Sequence, residues 1–268
     1  MFNLLRMDLY RMKRSKSVYV RFAILVAVTI LCFWMLWIVG TSQGQAYAFR
    51  SGMNLTVTPG EEIPQLEDYD SLTLFREVDM DGGTYSIIIG ILTAIFVCLD
   101  FNSGFMKNIM ALHPDRWKYI AAKMMSVGIL NIVLLTLHFL FCCLMNSAWG
   151  PLVPFAGLKD ILPYMASAWV NTTAFSAMII LVCMLTRSTA AGVMAALLLG
   201  SGVIHTLLYQ LTSLFGLTGW YEYTLYYNTS YIPASFTSLA DWKGTGIALV
   251  YLALYSALSM LALTKRDI

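Results

Sequence analysis

The chain has 268 residues, of which 59% are hydrophobic and only 12% are charged, and its mean hydropathy is +0.69. Because soluble domains carry about 25% charged residues, this composition excludes an ordinary soluble domain, and the long apolar runs predict an integral membrane protein. The formal net charge of +2 points to no class of partner, whereas the distribution of the charges along the chain is informative.

Residues 1–17 have the pattern of an amphipathic helix that lies in the membrane interface. Its apolar face is formed by Phe2, Leu5, Leu9 and Met12, and five Lys or Arg residues between positions 6 and 16 supply positive charge. Asp8 interrupts the edge of the apolar face. Such a helix is attracted to anionic headgroups. It either anchors the first span or grips a partner, and the sequence leaves both roles open.

Six apolar runs predict transmembrane helices in a single all-α membrane domain over residues 1–268. They cover residues 18–39, 85–99, 119–145, 164–185, 189–214 and 245–263. With the N-terminus in the cytoplasm, thirteen of the 17 Lys and Arg residues fall on the cytoplasmic side and four fall outside. Because basic residues favour the cytoplasmic side, six spans with cytoplasmic N- and C-termini are predicted.

Residues 40–84, between the first two spans, form a predicted acidic extracellular loop. They include eight of the 15 acidic residues and only two basic ones, Arg50 and Arg76. A solvated loop explains this composition, and so does an electrostatic funnel that attracts cationic cargo.

A polar interruption from Asp100 to Lys123 separates the second and third spans on the predicted cytoplasmic side. Gly104 is expected to take a positive φ and to end the second span. Phe105, Ile109 and Leu112 then recur at helical spacing, which predicts a short amphipathic coupling helix before the next proline. This short helix would be offered to a partner at the membrane surface.

The same segment resembles a known family, the small permeases of ABC type-2 exporters, in particular those of bacterial peptide-antibiotic export and immunity systems. The similarity rests on an acid–Gly–Lys–Asn–Arg–Lys pattern, here Asp100, Gly104, Lys107, Asn108, Arg116 and Lys123. The family more often has Glu as the acid and Thr after the glycine, where this chain has Asp and Phe. The basic opening of the chain and its closing Lys-Arg-Asp-Ile are also similar to the ends of the family.

By this resemblance, the chain is expected to be the membrane-spanning permease subunit of an ATP-driven exporter. It would move a peptide, lipid or drug-like cargo out of a bacterial cell across the plasma membrane, with antibiotic-peptide resistance as one implied role. Its partners would be the lipid bilayer, a second permease subunit (identical or a sister chain) and ABC ATPase subunits, which hold the ATP and Mg²⁺, so this chain would hold no cofactor. The residues expected at the ATPase contact are Asp100, Gly104, Phe105, Lys107, Asn108, Ile109, Leu112 and Arg116.

Motifs for nucleotide binding, catalysis and metal binding are absent from the sequence. No G-x-x-x-x-G-K-[ST] occurs, so ATP hydrolysis is expected in a separate subunit and this chain is not expected to be an enzyme. His113, His138 and His205 share no ligand spacing, and the five cysteines lie in apolar runs, so neither a metal site nor a disulfide is expected. The basic residues follow the membrane side, so no nucleic acid is expected as a partner.

Two other classes of function remain open. A membrane enzyme, such as an intramembrane protease or a lipid-modifying enzyme, needs paired polar residues at one depth of the membrane. The polar residues within the spans form a poor catalytic set: Asn131, His138, Asn171, His205 and Gln210. A non-transporting membrane scaffold or sensor would need no such residues.

A stripe of small residues runs along the fifth predicted span, where Gly192, Ala196 and Gly200 recur every fourth residue. Small side chains let another helix approach closely. The partner helix belongs either to the same chain or to a second subunit, and the sequence leaves both open.

Overall fold

The computed structural model describes residues 2–52, 69–106, 116–148 and 152–264, which form helices and connecting turns with no β-strand among them. In the first half of the chain the α-helices are α1 (Phe2–Arg14), α2 (Lys16–Gly40), α3 (Ser42–Arg50), α4 (Ser71–Phe75) and α5 (Thr84–Asn102). In the second half they are α6 (Arg116–Ala148), α7 (Leu158–Thr186), α8 (Thr189–Gly200), α9 (Val203–Ser213), α10 (Leu225–Ser230) and α11 (Lys243–Thr264).

Five helical stretches of the described chain are long and apolar enough to cross a membrane, and α8 and α9 together make a sixth if the bent pair is one span. The predicted spans 18–39, 85–99, 119–145, 164–185 and 245–263 each lie within one α-helix. Large apolar side chains remain exposed on the outer faces of α2, α6 and α11, for example Leu31, Leu140 and Val250. A helix that is apolar on its outward side as well as its inward side suits a lipid environment. The expected all-α class is therefore confirmed for the described residues, and the five or six candidate spans are consistent with a multi-pass membrane protein.

The predicted span 189–214 is divided between two helices, with a break between Gly200 and Val203. Helices α8 and α9 meet there at an angle of 52°. Gly202, at the break, has a φ of 72°, and a Cβ atom on it would lie 2.1 Å from Cζ of Tyr226. A left-handed backbone pressed against an aromatic ring requires glycine, so this residue fixes the bend.

The interpretation of residues 40–84 as one solvated loop does not hold for residues 71–80, several of which are buried in the protein. After α3, the chain re-enters the protein at α4, continues through a π-helical turn, Arg76–Met80, and a 3₁₀ turn, Asp81–Gly83, and leads directly into α5. Leu72, Phe75 and Met80 are buried in this stretch. It is held by two hydrogen bonds to the connection before α7, from the Ser71 amide to the Pro154 carbonyl and from the Ala156 amide to the Ser71 hydroxyl. The acidic residues Glu61, Glu62, Glu67 and Asp68 lie outside the described residues.

The ends of the helices fall into two groups, one at each side of the protein. The Asn102 amide at the end of α5 donates to the Thr189 hydroxyl at the start of α8, and Arg116 at the start of α6 donates to carbonyls at the end of α11. We call this side, where α1 also lies, the Asp100 end. At the opposite side, the Asp79 end, Gly83 before α5 touches the Gly200 backbone at the end of α8. Helix α1 and the C-terminal end of α11 therefore share one side of the protein.

Candidate functional site

The polar segment between α5 and α6 is described on both of its flanks. Helix α5 ends at Asn102, and Gly104 follows with a φ of 68°, so the prediction that this glycine ends the helix is confirmed. Asp100 lies in the last turn of α5 and is fully buried, and Arg116 begins α6. The remaining predicted contact residues Lys107, Asn108, Ile109 and Leu112 lie outside the described residues.

Asp100 is the centre of a buried ionic network that we call the Asp100 cluster, formed by Asp8, Arg11, Asp100, Tyr119 and Lys123. One carboxylate oxygen of Asp100 accepts from Arg11 Nη1 at 2.7 Å. The other accepts from Tyr119 Oη at 2.8 Å and pairs with Lys123 Nζ at 2.7 Å. The cluster therefore connects α1, the end of α5 and the first turns of α6.

Asp8 completes the network from α1. Its Oδ1 accepts from Lys123 Nζ at 2.8 Å, and both side chains are buried, with relative exposures of 2% and 1%. Burial raises the pKa of the Asp8 carboxyl, and the adjacent Lys123 ammonium opposes that rise. Two carboxylates face one ammonium and one guanidinium, so the ionised cluster is neutral as a whole, which is the condition for keeping charges out of water.

The buried face of α1 differs from the predicted apolar face. Leu4, Asp8 and Met12 are buried, whereas Phe2 is 76% exposed. The prediction placed the face on the apolar spacing alone, but the pairing of Asp8 with Lys123 turns the helix so that the acid points inward. The acid at the edge of an apolar stripe was the signal in the sequence, because a lone carboxylate there needs a buried cation.

Two predicted contact residues have structural partners in the same chain. Arg116 Nη1 donates to the Leu263 carbonyl at 2.6 Å and to the Thr264 carbonyl at 3.0 Å, so it caps the end of α11. The guanidinium of Arg11 covers the ring of Phe105, with 4.6 Å between Cζ and the ring centre. Phe105 is thus half-buried and not a freely exposed member of a docking face.

The stripe of small residues packs within the chain, against α5. A Cβ atom on Gly192 would lie 2.9 Å from Cβ of Ala94, and one on Gly200 would lie 2.9 Å from Cγ1 of Ile87. Ala196 is fully buried against Gly90, where α5 offers no side chain. Both helices therefore use small residues to bring their backbones together.

A second buried polar group lies near the Asp79 end, and the sequence patterns do not predict it. Asp79 pairs with His138 at 2.9 Å, between Oδ1 and Nε2, and Cys142 and Thr29 donate to the same carboxylate. We call these four residues the Asp79 cluster. In the sequence, Asp79 lies in the predicted acidic loop and Cys142 lies in an apolar run of a predicted span. Their spacing along the chain does not link Asp79 to Cys142.

The other polar residues considered for catalysis within the spans make structural contacts. Asn131 accepts from Tyr85 Oη at 2.9 Å and donates to the hydroxyls of Thr172 and Thr173, so it joins α5, α6 and α7. Asn171 donates to the Ser167 carbonyl within its own helix. His205 stacks on Tyr226, and Gln210 is exposed. These residues are spread over several helices and do not form one catalytic group.

Comparisons with known proteins found no relative of this chain, because no protein-family model and no curated protein matches it. The Asp100 cluster joins the two flanks of the polar segment to each other and to α1.

Proposed function

We propose that the chain is the membrane-spanning subunit of an ATP-driven exporter of the ABC type-2 class, in the plasma membrane of a bacterium. In this proposal the Asp100 end faces the cytoplasm, and six spans result when α8 and α9 cross as one broken helix. Two permease subunits stand on two ATPase subunits, and the cargo is a peptide, a lipid or a drug-like molecule.

The observation that carries the proposal is the Asp100 cluster. A short segment that receives force from a partner is useful only if its two ends are held rigidly by the helices that must move. Here the segment leaves α5 just after Asp100 and enters α6 at Arg116, about two turns before Lys123. Because Asp8 and Arg11 bind both flanks, the amphipathic α1 is expected to move with them as one body.

Energy enters this mechanism from outside the chain. The sequence has no P-loop, so ATP binding and hydrolysis belong to the ATPase subunits, and it is the resemblance of the Asp100–Lys123 pattern that supports ATP as the energy source. Closure of the ATPases would push on the polar segment and shift the permease between inward-open and outward-open states. A partner shifts such an equilibrium only by the difference between its affinities for the two states.

Co-purification from native membranes tests the proposal. We expect an ATPase subunit with a P-loop to be recovered with the tagged chain, in about one copy per permease subunit. Replacing Ile109 and Leu112 together by Asp should reduce that recovery and the cargo-dependent ATP turnover, because an apolar face can no longer enter a groove on the partner.

The control is Phe2→Asp, which places one new carboxylate on an exposed apolar position at the same end of the protein. It should leave ATPase recovery at the level of the unsubstituted chain. The proposal would be contradicted if ATPase recovery and ATP turnover were unaltered in the double variant. It would also be contradicted if no ATPase were recovered with the unsubstituted chain.

A further inference from the structure

The Asp79 cluster brings three different metal-ligand groups together in the interior. His138 Nε2 lies 2.9 Å from Asp79 Oδ1, and Cys142 Sγ lies 3.3 Å from Asp79 Oδ2. The three donor atoms lie within 4.8 Å of one another, and all three residues are buried. Among the described residues this is the one group of His, Cys and acidic side chains that meets this spacing.

The local structure aims these side chains at one point. His138 and Cys142 are four residues apart on α6, so they project from the same face in successive turns. Asp79 comes from the π-helical turn before α5, a conformation that is rare and occurs frequently at functional sites. The two glycines after it, Gly82 and Gly83, have φ values of 71° and 74°, which lets the chain turn sharply from Asp79 into α5.

The donor set selects the class of ion. A carboxylate, a thiolate and a neutral imidazole carry two negative charges together, so a divalent cation makes a neutral centre in a low-dielectric interior. A thiolate is a poor ligand for Mg²⁺ or Ca²⁺ and a good one for Zn²⁺ and its neighbours among the transition metals. Tetrahedral Zn²⁺ with ligands at about 2.0–2.3 Å separates its donor atoms by roughly 3–4 Å. The distances between donor atoms in the cluster, from 2.9 Å up to no more than 4.8 Å, include that range.

The surroundings support the ligands. The ring of His138 stacks on Tyr85 with 6.1 Å between centroids, and the ring of Phe75 is tilted against it at 5.7 Å. Nδ1 of His138 has no hydrogen-bond partner among the described residues, so Nε2 is the nitrogen engaged in polar contacts. Thr29 Oγ1 lies 3.3 Å from the Asp79 carboxylate and orients it from α2, as outer-shell partners of metal ligands do.

A groove of about 530 Å³ lies between α2 and the π-helical turn. Cys32, one turn after Thr29 on α2, lines it, and so do Glu77 and Val78, which directly precede Asp79. The groove therefore lies beside the cluster, and its lining includes the side chain of Glu77.

We infer that Asp79, His138 and Cys142 form a binding site for one divalent transition-metal ion of the Zn²⁺ type. The ion would tie the π-helical turn to α6, leaving a fourth coordination position beside Thr29. This inference does not depend on the proposed export function, since it concerns the purified chain alone.

The test uses the full-length chain in detergent or nanodiscs, loaded with Zn²⁺ or Co²⁺ and dialysed against metal-free buffer. Elemental analysis should find about one Zn²⁺ per chain. The Co²⁺ form should show a thiolate-to-cobalt charge-transfer band, which arises only when a cysteine sulfur binds the metal. Cys142→Ser should lose that band and weaken the Kd for Zn²⁺ by at least about 100-fold, because even outer-shell partners are worth roughly 10–100-fold.

Cys143→Ser is the matched control, since it makes the same change one residue along α6 at a half-buried position outside the cluster. It should keep the band and the affinity. His138→Gln serves as a second ligand variant in case Cys142→Ser does not fold, and it should weaken Zn²⁺ binding while thermal unfolding of the metal-free protein remains cooperative. Substoichiometric metal in the wild type, or a band that survives in Cys142→Ser, would overturn the inference and leave Asp79 and His138 as a buried pair only.

Discussion

Replacing Lys123 by Met should release α1 from the rest of the protein. Lys123 is fully buried and binds two carboxylates at once, Asp8 at 2.8 Å and Asp100 at 2.7 Å. Met keeps most of the length of the side chain, but it removes the ammonium, including the contact of Nζ with the ring of Phe96 at 4.1 Å. The cluster would then hold two carboxylates against the single guanidinium of Arg11.

The expected cost follows from this uncompensated charge. Removing one partner from a buried ion pair typically destabilises a protein by about 3–5 kcal/mol. Since every 1.4 kcal/mol is a factor of ten, the population in which α1 is detached should rise by roughly two to three and a half orders of magnitude. The effect should be largest at α1, because Asp100 keeps Arg11 at 2.7 Å whereas Asp8 keeps only the longer contact with Arg11 at 3.9 Å.

Hydrogen exchange of the amides of α1, measured in nanodiscs, reads out this opening directly. Lys13→Met is the control, because Lys13 is exposed and the substitution makes the same change of charge and side chain. Adding Asp8→Asn to Lys123→Met leaves a neutral pair of Asp100 and Arg11, so the double variant should recover part of the protection. Equal protection of α1 in Lys123→Met, Lys13→Met and the wild type would refute the reasoning.

Two further predictions concern orientation and packing. A cysteine in place of Ser51, which is exposed after α3, should react with an impermeant thiol reagent on intact cells, whereas one in place of the exposed Ser103 should react only after permeabilisation; the reverse pattern would invert the proposed topology. Gly192→Ala should lower the Tm, because the new Cβ would lie 2.6 Å from Cys183 Sγ and overpacking costs about 1–3 kcal/mol. The control is Gly246→Ala on α11, where a new Cβ meets nothing within 4 Å, so the substitution should be neutral or stabilising by up to about 1 kcal/mol. A similar Tm for both variants would show that the packing around Gly192 is looser than described.

The sequence identifies several residues of the site, but it does not show which of them contact one another. Asp100, Arg116 and Lys123 were singled out by the polar segment that contains them, and Gly104 by its turn chemistry. Their partners were not, because Asp8 and Arg11 lie about ninety residues earlier on a helix whose orientation follows from the pairing itself. The sequence pattern of a helix shows which of its residues share a face. It does not show which buried cation pairs with which buried acid.

By itself, the sequence determined that the chain is a helical membrane protein and where its apolar helices lie, because the transfer of an apolar run into a bilayer depends on that run alone. The tertiary structure decided what the polar residues among those helices do. Asp79 lies in an acid-rich stretch that looks solvated, yet the π-helical turn delivers it to His138 and Cys142, nearly sixty residues further along the chain. A buried polar group must find its partner wherever the packed helices bring one within hydrogen-bonding distance, and that distance is fixed only by the fold.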